Sequence, residues 1–316
     1  MKAVRCCDKH IQVVDVPAPA PTTKEEGVVV NVRSSGICGS DLHMVDMGFN
    51  LGVTLGHEVA GTLQDGTPVA LEPLAPCGHC DMCVQGDYGL CRLGPGMVHG
   101  IGLEGGMAEQ ILVPESAIVC LPNNVSALDA CLVEPLAVAA HGIRMLDLNP
   151  ASRVAVIGAG AVGLAATAVL TPFVKTVDVA ARHDAQKEAA QRLGARLDPQ
   201  EEYDVVIECA GNSKALAQAA KLCKPGGIIL ILATYWDGVE LPAFDVCMKG
   251  LKIFASSLYG RQGLVRDVEM AAQLLSQRPE IPDILITHRL PLDAAGEAFA
   301  IAADRKAGAI KVVLEP

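Results

Sequence analysis

The chain has 316 residues, half of them apolar and about a fifth charged, enough for two domains with full cores and unlike a disordered chain. The net charge of −11 argues against nucleic acid and against an anionic membrane surface as partners. No run reaches the roughly eighteen apolar residues of a membrane span, and the opening MKAVRCCDKH lacks the apolar core of a signal peptide. The twelve cysteines therefore read as reduced thiols of a cytoplasmic protein, some of them on metal, rather than as disulfides.

In chain order, β-branched residues mark 1–14 and 27–34 as strands, separated by an extended connector, VPAPAPTT, at 16–23. Residues 28–32 alternate poorly and are expected to be buried on both faces. GICGSDLH at 36–43 places Cys38 on a glycine-flanked turn, with Ser40 two residues on and His43 five on, and GHE at 56–58 adds His57 and Glu58. A thiolate, an imidazole and a carboxylate can bind Zn²⁺. Taken singly, Cys38 and His57 read more simply as a buried structural thiol and a hydrogen-bonded imidazole.

A stronger pattern is PCGHCDMCVQGDYGLC at 76–91, which spaces Cys77, Cys80, Cys83 and Cys91 by two, two and seven residues. Four thiolates so close in sequence can close a tetrahedral Zn²⁺ site with no position left for water, which is a structural role. An iron–sulfur cluster is the alternative for such spacings. His79, inside the loop, reads as solvated.

Strand-like sequence returns at 98–114, and 126–146 reads as a helix with Ser126 at its N-cap and Asp129 three residues later. Glu134 stands in its apolar middle beside Pro135, and a buried carboxylate needs a partner: a metal, or an arginine.

RVAVIGAGAVGLA at 153–165 joins an apolar strand (154–157) to a small-residue helix (164–170) through Gly158, Gly160 and Gly163. Such a turn lets the backbone approach a pyrophosphate, which the N-terminus of the following helix attracts, so Gly158, Gly160, Val162 and Gly163 are the candidate dinucleotide contacts. The next strand, 176–180, is followed by Arg182 and His183, while Asp178 falls inside it and Asp184 late. An acid at that end would take the ribose hydroxyls of NAD, whereas an arginine suits the 2′-phosphate of NADP. The local chemistry therefore favours NADP(H) over NAD(H); an Arg182 stacked on adenine would leave NAD open. Further strands follow at 204–209, 228–232 and 251–257, with a helix at 213–222 and an amphipathic helix at 265–277. Tyr235 and the SLYG stretch at 257–260 fall at strand C-termini, where they line either a ligand or an oligomer contact.

With these pieces in order, the chain resembles the zinc-containing medium-chain alcohol dehydrogenases, especially the sorbitol- and threonine-dehydrogenase-like branch. The resemblance rests on GICGSDLH, GHE, EPLAPCGHCDMCVQGDYGLC, GGMAEQILVP, VEPLAVAAHG, VIGAGAVGL, DVVIECAG and LCKPGGIIL, and spans essentially the whole chain. It implies an α/β protein: a GroES-like β-rich catalytic domain over 1–123 with a structural-zinc lobe at 76–92, a Rossmann doubly wound parallel-sheet domain over 124–265, and a return to the catalytic domain over 266–316 that ends in a strand at 310–314. The active site would lie in the cleft. By position Cys38 and His57 match zinc ligands, Glu58 an exchangeable or nearby ligand, and Glu134 the remaining carboxylate, which another branch replaces by cysteine. Two Zn²⁺ per chain are implied.

The implied reaction is hydride transfer between a small-molecule alcohol or carbonyl and a nicotinamide cofactor, the metal acting as Lewis acid. Ser40 would pass the proton and His43 relay it, while Asp41 would orient a ligand histidine. A homodimer or homotetramer is expected. The alternatives are an NAD-dependent polyol or amino-alcohol dehydrogenase and a non-catalytic nucleotide-binding sensor or scaffold. The arginine–tyrosine pair of sorbitol dehydrogenases has no clear match in SSLYGRQ at 256–262, which weakens the first. The intact set of Cys38, Ser40, His43, His57 and Glu134 weakens the second. Two stretches read as trimmed: 61–68, and 197–203, where a helix and a strand look largely missing.

Overall fold

The computed structural model describes every residue except 22, 24, 25, 50, 51, 201 and 305. The expected connector at 16–23 and the trimmed stretch at 197–203 each include a residue outside that set. The chain divides into two compact units, one of residues 1–137 and 260–316, the other of residues 138–259.

The first unit opens with β1 (Lys2–Cys7) and β2 (His10–Asp15), an antiparallel hairpin where a single strand is expected over 1–14. Its turn uses Asp8 and Lys9, both at positive φ (47° and 66°), without the glycine that would signal a two-residue turn in the sequence. Next come β3 (Val28–Gly36), α1 (Gly39–Asp46), β4 (Glu58–Thr62), β5 (Pro68–Leu71), α2 (Asp81–Gln85), β6 (Gln110–Val113) and β7 (Ile118–Cys120). β3 is mostly buried, as its poor alternation predicts. The trimmed stretch between β4 and β5 is a tight turn closed by the Leu63 N–H on the Thr67 carbonyl (2.9 Å), and both flanking strands are intact.

α3 (Val133–Arg144) begins seven residues later than the sequence suggests. Ser126 instead starts a turn: its carbonyl accepts the Asp129 and Ala130 N–H groups (3.0 Å each), and its hydroxyl accepts that of Leu128 (3.2 Å). A 3₁₀ turn at Ala130–Leu132 follows and packs against β3, β4 and β5. That packing moves the unit boundary from the expected 123 to 137. Pro135 falls in the first turn of α3, where its missing N–H leaves no helical bond unmade.

The second unit contains β8 (Arg153–Ile157), α4 (Ala161–Leu170), β9 (Thr176–Ala180), α5 (Asp184–Arg192), β10 (Arg196–Leu197), β11 (Tyr203–Glu208), α6 (Ser213–Leu222), β12 (Cys223–Ile231), α7 (Ala243–Lys249) and β13 (Lys252–Ala255). All pairings are parallel, in the order β10-β9-β8-β11-β12-β13, so the order reverses between β8 and β11. Right-handed crossovers leaving that centre in opposite directions lay helices on both faces, the doubly wound Rossmann arrangement. Ala215, Leu216, Ala219 and Ala220 give α6 one apolar face, buried with Ala155, Ile157, Val206 and Ile229. The strand expected to be lost at 197–203 survives as the two-residue β10, and among the described residues its link to β11 carries no helix.

The chain then returns to the first unit through β14 (Arg261–Gln262), β15 (Val265–Arg266), α8 (Asp267–Gln277), α9 (Ile281–Leu285), β16 (Ile286–Pro291), α10 (Ala295–Ala303) and β17 (Lys311–Glu315). The return starts at 260 rather than 266: the Gly260 carbonyl accepts the Tyr88 hydroxyl and its N–H donates to Asp267. The sheet runs β16-β17-β3-β4-β5-β7, with β6 paired to β3. Among the described residues, buried clusters in this unit include the following two. One contains Val30, Val32, Val59, Val69, Leu71 and Ile111; the other contains Val4, Leu55, Met107, Phe299 and Leu314.

Candidate active site

The end of β3 and the start of β4 pair directly, Gly36 opposite Glu58. This pairing brings the two ligand-bearing segments together, since Cys38 follows one residue pair and His57 precedes the other. A side chain at 36 would place its Cβ 2.0 Å from Glu58 Oε2, which is why glycine stands there. α1 starts immediately after Cys38, and Asp41 reaches back from its first turn to accept the Cys38 N–H (2.9 Å), fixing the turn. The thiol of Cys38, one ring nitrogen of His57 and a carboxylate oxygen of Glu58 all lie within 4.8 Å of one another. Ser40 Oγ is 3.4 Å from His57 Nε2. On the other side of the ring, Nδ1 faces Asp41 Oδ1 at 3.5 Å, and neither buried atom has a hydrogen-bond partner. His43 lies on the exposed side of α1.

The site is crowded with charge. Burial pulls the His57 imidazolium down, but Asp41, Cys38 and Glu134 outweigh it and raise the group well above the usual imidazole range. Burial pushes Glu134 up to about 7, with His57 opposing. Glu134 is 6% exposed and stands outside the 4.8 Å set. Glu58 is differently placed. Lys311 of β17, 1% exposed, donates to both its oxygens (2.6 Å each) and to the Ile37 carbonyl (3.1 Å). Lys311 is missed by sequence reasoning; its only signal is a charge inside the apolar run AIKVVL.

A thiol, an imidazole and buried carboxylates form a donor set that suits Zn²⁺. The four-cysteine lobe fits a metal more tightly still. Its sulfurs are 3.9 Å apart for Cys77–Cys83, 3.5 Å for Cys80–Cys83 and 4.0 Å for Cys80–Cys91. A tetrahedron with Zn–S bonds of about 2.3 Å has edges of about 3.8 Å. The four thiols are free, and the Cys77 and Cys80 N–H groups point at the sulfurs of Cys91 and Cys77 (3.4 and 3.3 Å). Backbone N–H groups of Arg92 and Cys83 pull the Cys80 thiol down to about 6, towards the thiolate a metal needs. His79, expected to be merely solvated, is exposed but places Nδ1 2.8 Å from the Cys77 carbonyl.

A network unmarked by any motif ties the lobe to its unit. Tyr88 donates to Glu72 (2.5 Å) and to the Gly260 carbonyl (3.0 Å). Arg266 donates to Glu72 (2.9 Å) and to the carbonyls of Ser116 and Ile118 (2.7 and 2.8 Å).

In the second unit, Gly158 follows β8 at φ +99°, and a Cβ on Gly163 would sit 1.9 Å from its carbonyl oxygen. Gly160 caps α4 and is exposed, with Val162 half-buried in the first turn. Asp178 is fully engaged within the sheet, by Arg196 (2.6 and 2.8 Å) and the Tyr203 hydroxyl (2.6 Å). Past the end of β9, Arg182 is exposed and His183 caps α5.

A GroES-like sheet unit bearing two clusters of metal-binding side chains, and a doubly wound unit with a glycine turn at its first strand, together define a two-domain zinc-type dehydrogenase. Residues 24–123 match the model of the alcohol dehydrogenase GroES-like domain, and 127–315 that of the glucose dehydrogenase C-terminus. D-xylulose reductase A of Aspergillus oryzae is 29% identical over 320 residues, 89% of this chain and 88% of its own. A chain from Sinorhizobium meliloti 1021 solved with NADP bound is 30% identical, with a TM-score of 0.87 and coverage of 100% of this chain and 99% of its own. Galactitol-1-phosphate dehydrogenase from Escherichia coli is 25% identical, with a TM-score of 0.88 and full coverage of both chains. The protein belongs to the zinc-containing medium-chain alcohol dehydrogenase family and is an oxidoreductase. Among the described residues no helix is long and apolar enough to cross a membrane.

Proposed function

We propose that the protein interconverts a small-molecule alcohol and its carbonyl at a zinc held by Cys38, His57 and Glu134, using NADP(H) in preference to NAD(H). The observation that carries this reading is the convergence of Cys38 and His57 beside buried carboxylates, with the Ser40 hydroxyl at 3.4 Å from the same imidazole. Glu134 is assigned to the metal because it is buried and its charge interacts with that of His57, whereas Lys311 occupies both oxygens of Glu58. When bound, the zinc supplies a Lewis acid that makes a substrate hydroxyl more acidic. Asp41 faces the Nδ1 side of His57 at 3.5 Å, which would leave Nε2 for the metal. Ser40 takes the substrate proton. His43, three residues on along α1 and on the neighbouring turn, passes it to solvent. Cys77, Cys80, Cys83 and Cys91 hold a second, structural zinc.

The cofactor preference is supported at the end of β9, where the one strand acid, Asp178, is already engaged and Arg182 stands exposed. For the substrate, the printed activities of the Aspergillus and Escherichia relatives favour a second, narrower reading, a sugar alcohol or its ketose. A panel of simple alcohols, ketones, polyols and ketoses, followed by nicotinamide absorbance with each cofactor, tests both. Turnover faster with NADP(H) supports the proposal. No turnover with any of them, from protein carrying two zinc ions, would leave the sensor or scaffold reading.

Exposed Phe244 (78%), Met248 (71%) and Leu264 (95%) support a homodimer or homotetramer in solution, which light scattering reads directly. Twelve free thiols suit the reducing cytoplasm.

A further inference from the structure

Glu208 is the last residue of β11, is completely buried, and has no part in the chemistry above. One carboxylate oxygen accepts the N–H groups of Ala210 (2.7 Å) and Gly211 (2.9 Å); the other accepts the Tyr235 hydroxyl (2.7 Å). All three donors are neutral. Burial accordingly raises the carboxyl above its usual range, with the three hydrogen bonds opposing. A buried carboxylate with no cation beside it among the described residues is a poor way to stabilise a core, so its use lies in what the three bonds hold in place.

They hold the rim of the nucleotide site. β11 and β8 are the neighbours between which strand order reverses, and ligands of open parallel sheets bind at the carboxyl ends of such strands. Ala210 forms the wall of the glycine turn: a Cβ on Gly158 would meet the Ala210 Cβ at 3.0 Å and its nitrogen at 3.1 Å. Gly211 is left-handed (φ +67°) and backs onto the Thr234 carbonyl, 2.9 Å from where a Cβ would be. Tyr235 belongs to the segment after β12. One side chain thus fixes the loop after β11 directly, the glycine turn through Ala210, and the loop after β12 through Tyr235.

We propose that Glu208 is a positioning residue for the nicotinamide nucleotide, its carboxylate pre-shaping these three segments before the cofactor arrives. The inference rests on the reading of this unit as an NADP(H) site. Its test uses the full-length, metal-loaded protein with Glu208→Ala, Glu208→Gln and Tyr235→Phe. NADPH and NADH affinities are measured by fluorescence titration, beside thermal unfolding and steady-state kinetics. Glu208→Ala should weaken NADPH binding about tenfold or more, and raise the cofactor KM by more than it lowers kcat, because preorganisation is lost. Glu208→Gln should recover most of the affinity, since its amide oxygen can accept both N–H groups and its NH₂ can donate to the Tyr235 hydroxyl. Tyr235→Phe should fall between them. Where Glu208→Ala fails to fold, the other two variants decide. Unchanged NADPH affinity in Glu208→Ala, or Glu208→Gln and Tyr235→Phe both as weak as a full loss, would overturn the positioning role alone. A wild-type protein that binds neither nucleotide would overturn the reading beneath it as well.

Discussion

At the level of single residues, the site depends on one strand pair. Gly36 opposite Glu58 sets Cys38 near His57, and Lys311 then seals Glu58 from the far end of the sequence, 253 residues away. Cys38→Ala should reduce turnover to below about one part in a hundred, because the open metal site loses its thiolate, while the unfolding temperature stays close to wild type. Turnover by nicotinamide absorbance and thermal unfolding on the same sample check this, and full activity in the variant would refute the assigned role. Arg182→Asp should shift the kcat/KM ratio about tenfold or more from NADPH towards NADH, since it replaces a phosphate partner with a ribose-hydroxyl partner. An unchanged ratio rejects Arg182 as the selector. Taken singly, Cys38 and His57 read as a buried thiol and a hydrogen-bonded imidazole; the ligand reading comes from the family resemblance that GICGSDLH and GHE help carry. Lys311 and Glu208 were not legible, because a buried charge in an apolar strand is explained only by partners that folding supplies.

At the level of elements, the two segments proposed to bind metal differ in what they support. The cysteine lobe contains the short helix α2 and a 3₁₀ turn at Tyr88–Leu90, and is held by its thiols and by the Tyr88–Glu72–Arg266 network. Cys80→Ala should therefore cost several kcal/mol of stability and lower the unfolding temperature, far more than Cys38→Ala does, because a structural zinc contributes folding energy directly. In the other unit, burial would raise Asp178, but Arg196 and Tyr203 overcome it and hold the carboxyl below the usual range near 3.8. A carboxylate depressed on folding adds stability above its unfolded value and loses it as pH falls through the folded one. Asp178→Asn should thus be less stable by about 1 kcal/mol at neutral pH and lose less stability than wild type between about pH 5 and pH 2, as read by urea unfolding. The parallel strands of the second unit are the easier elements to read, whereas the strand-like stretch at 98–114 forms a strand only at Gln110–Val113. The β1–β2 turn was hidden by its Asp-Lys chemistry, and the start of α3 was misplaced because Ser126 caps a turn with the same atoms it would use to cap a helix.

At the level of the whole molecule, the order of elements is the clearest message in the chain. Strand, glycine turn, helix and strand recur from 153 onward in the sequence a doubly wound sheet requires, and the comparisons agree with the family that the motifs suggest. Unit boundaries were less legible, since 124–137 and 260–265 are assigned by packing and by Arg266, not by composition. The account as a whole rests on a working metal distinct from the structural one, and metal-dependent turnover tests that most directly. Chelation under conditions that leave the fold intact, followed by zinc titration with metal content and nicotinamide-linked turnover measured together, should show activity returning with the second zinc per chain and not with the first. Full turnover by protein holding only the zinc of the cysteine lobe would contradict the account.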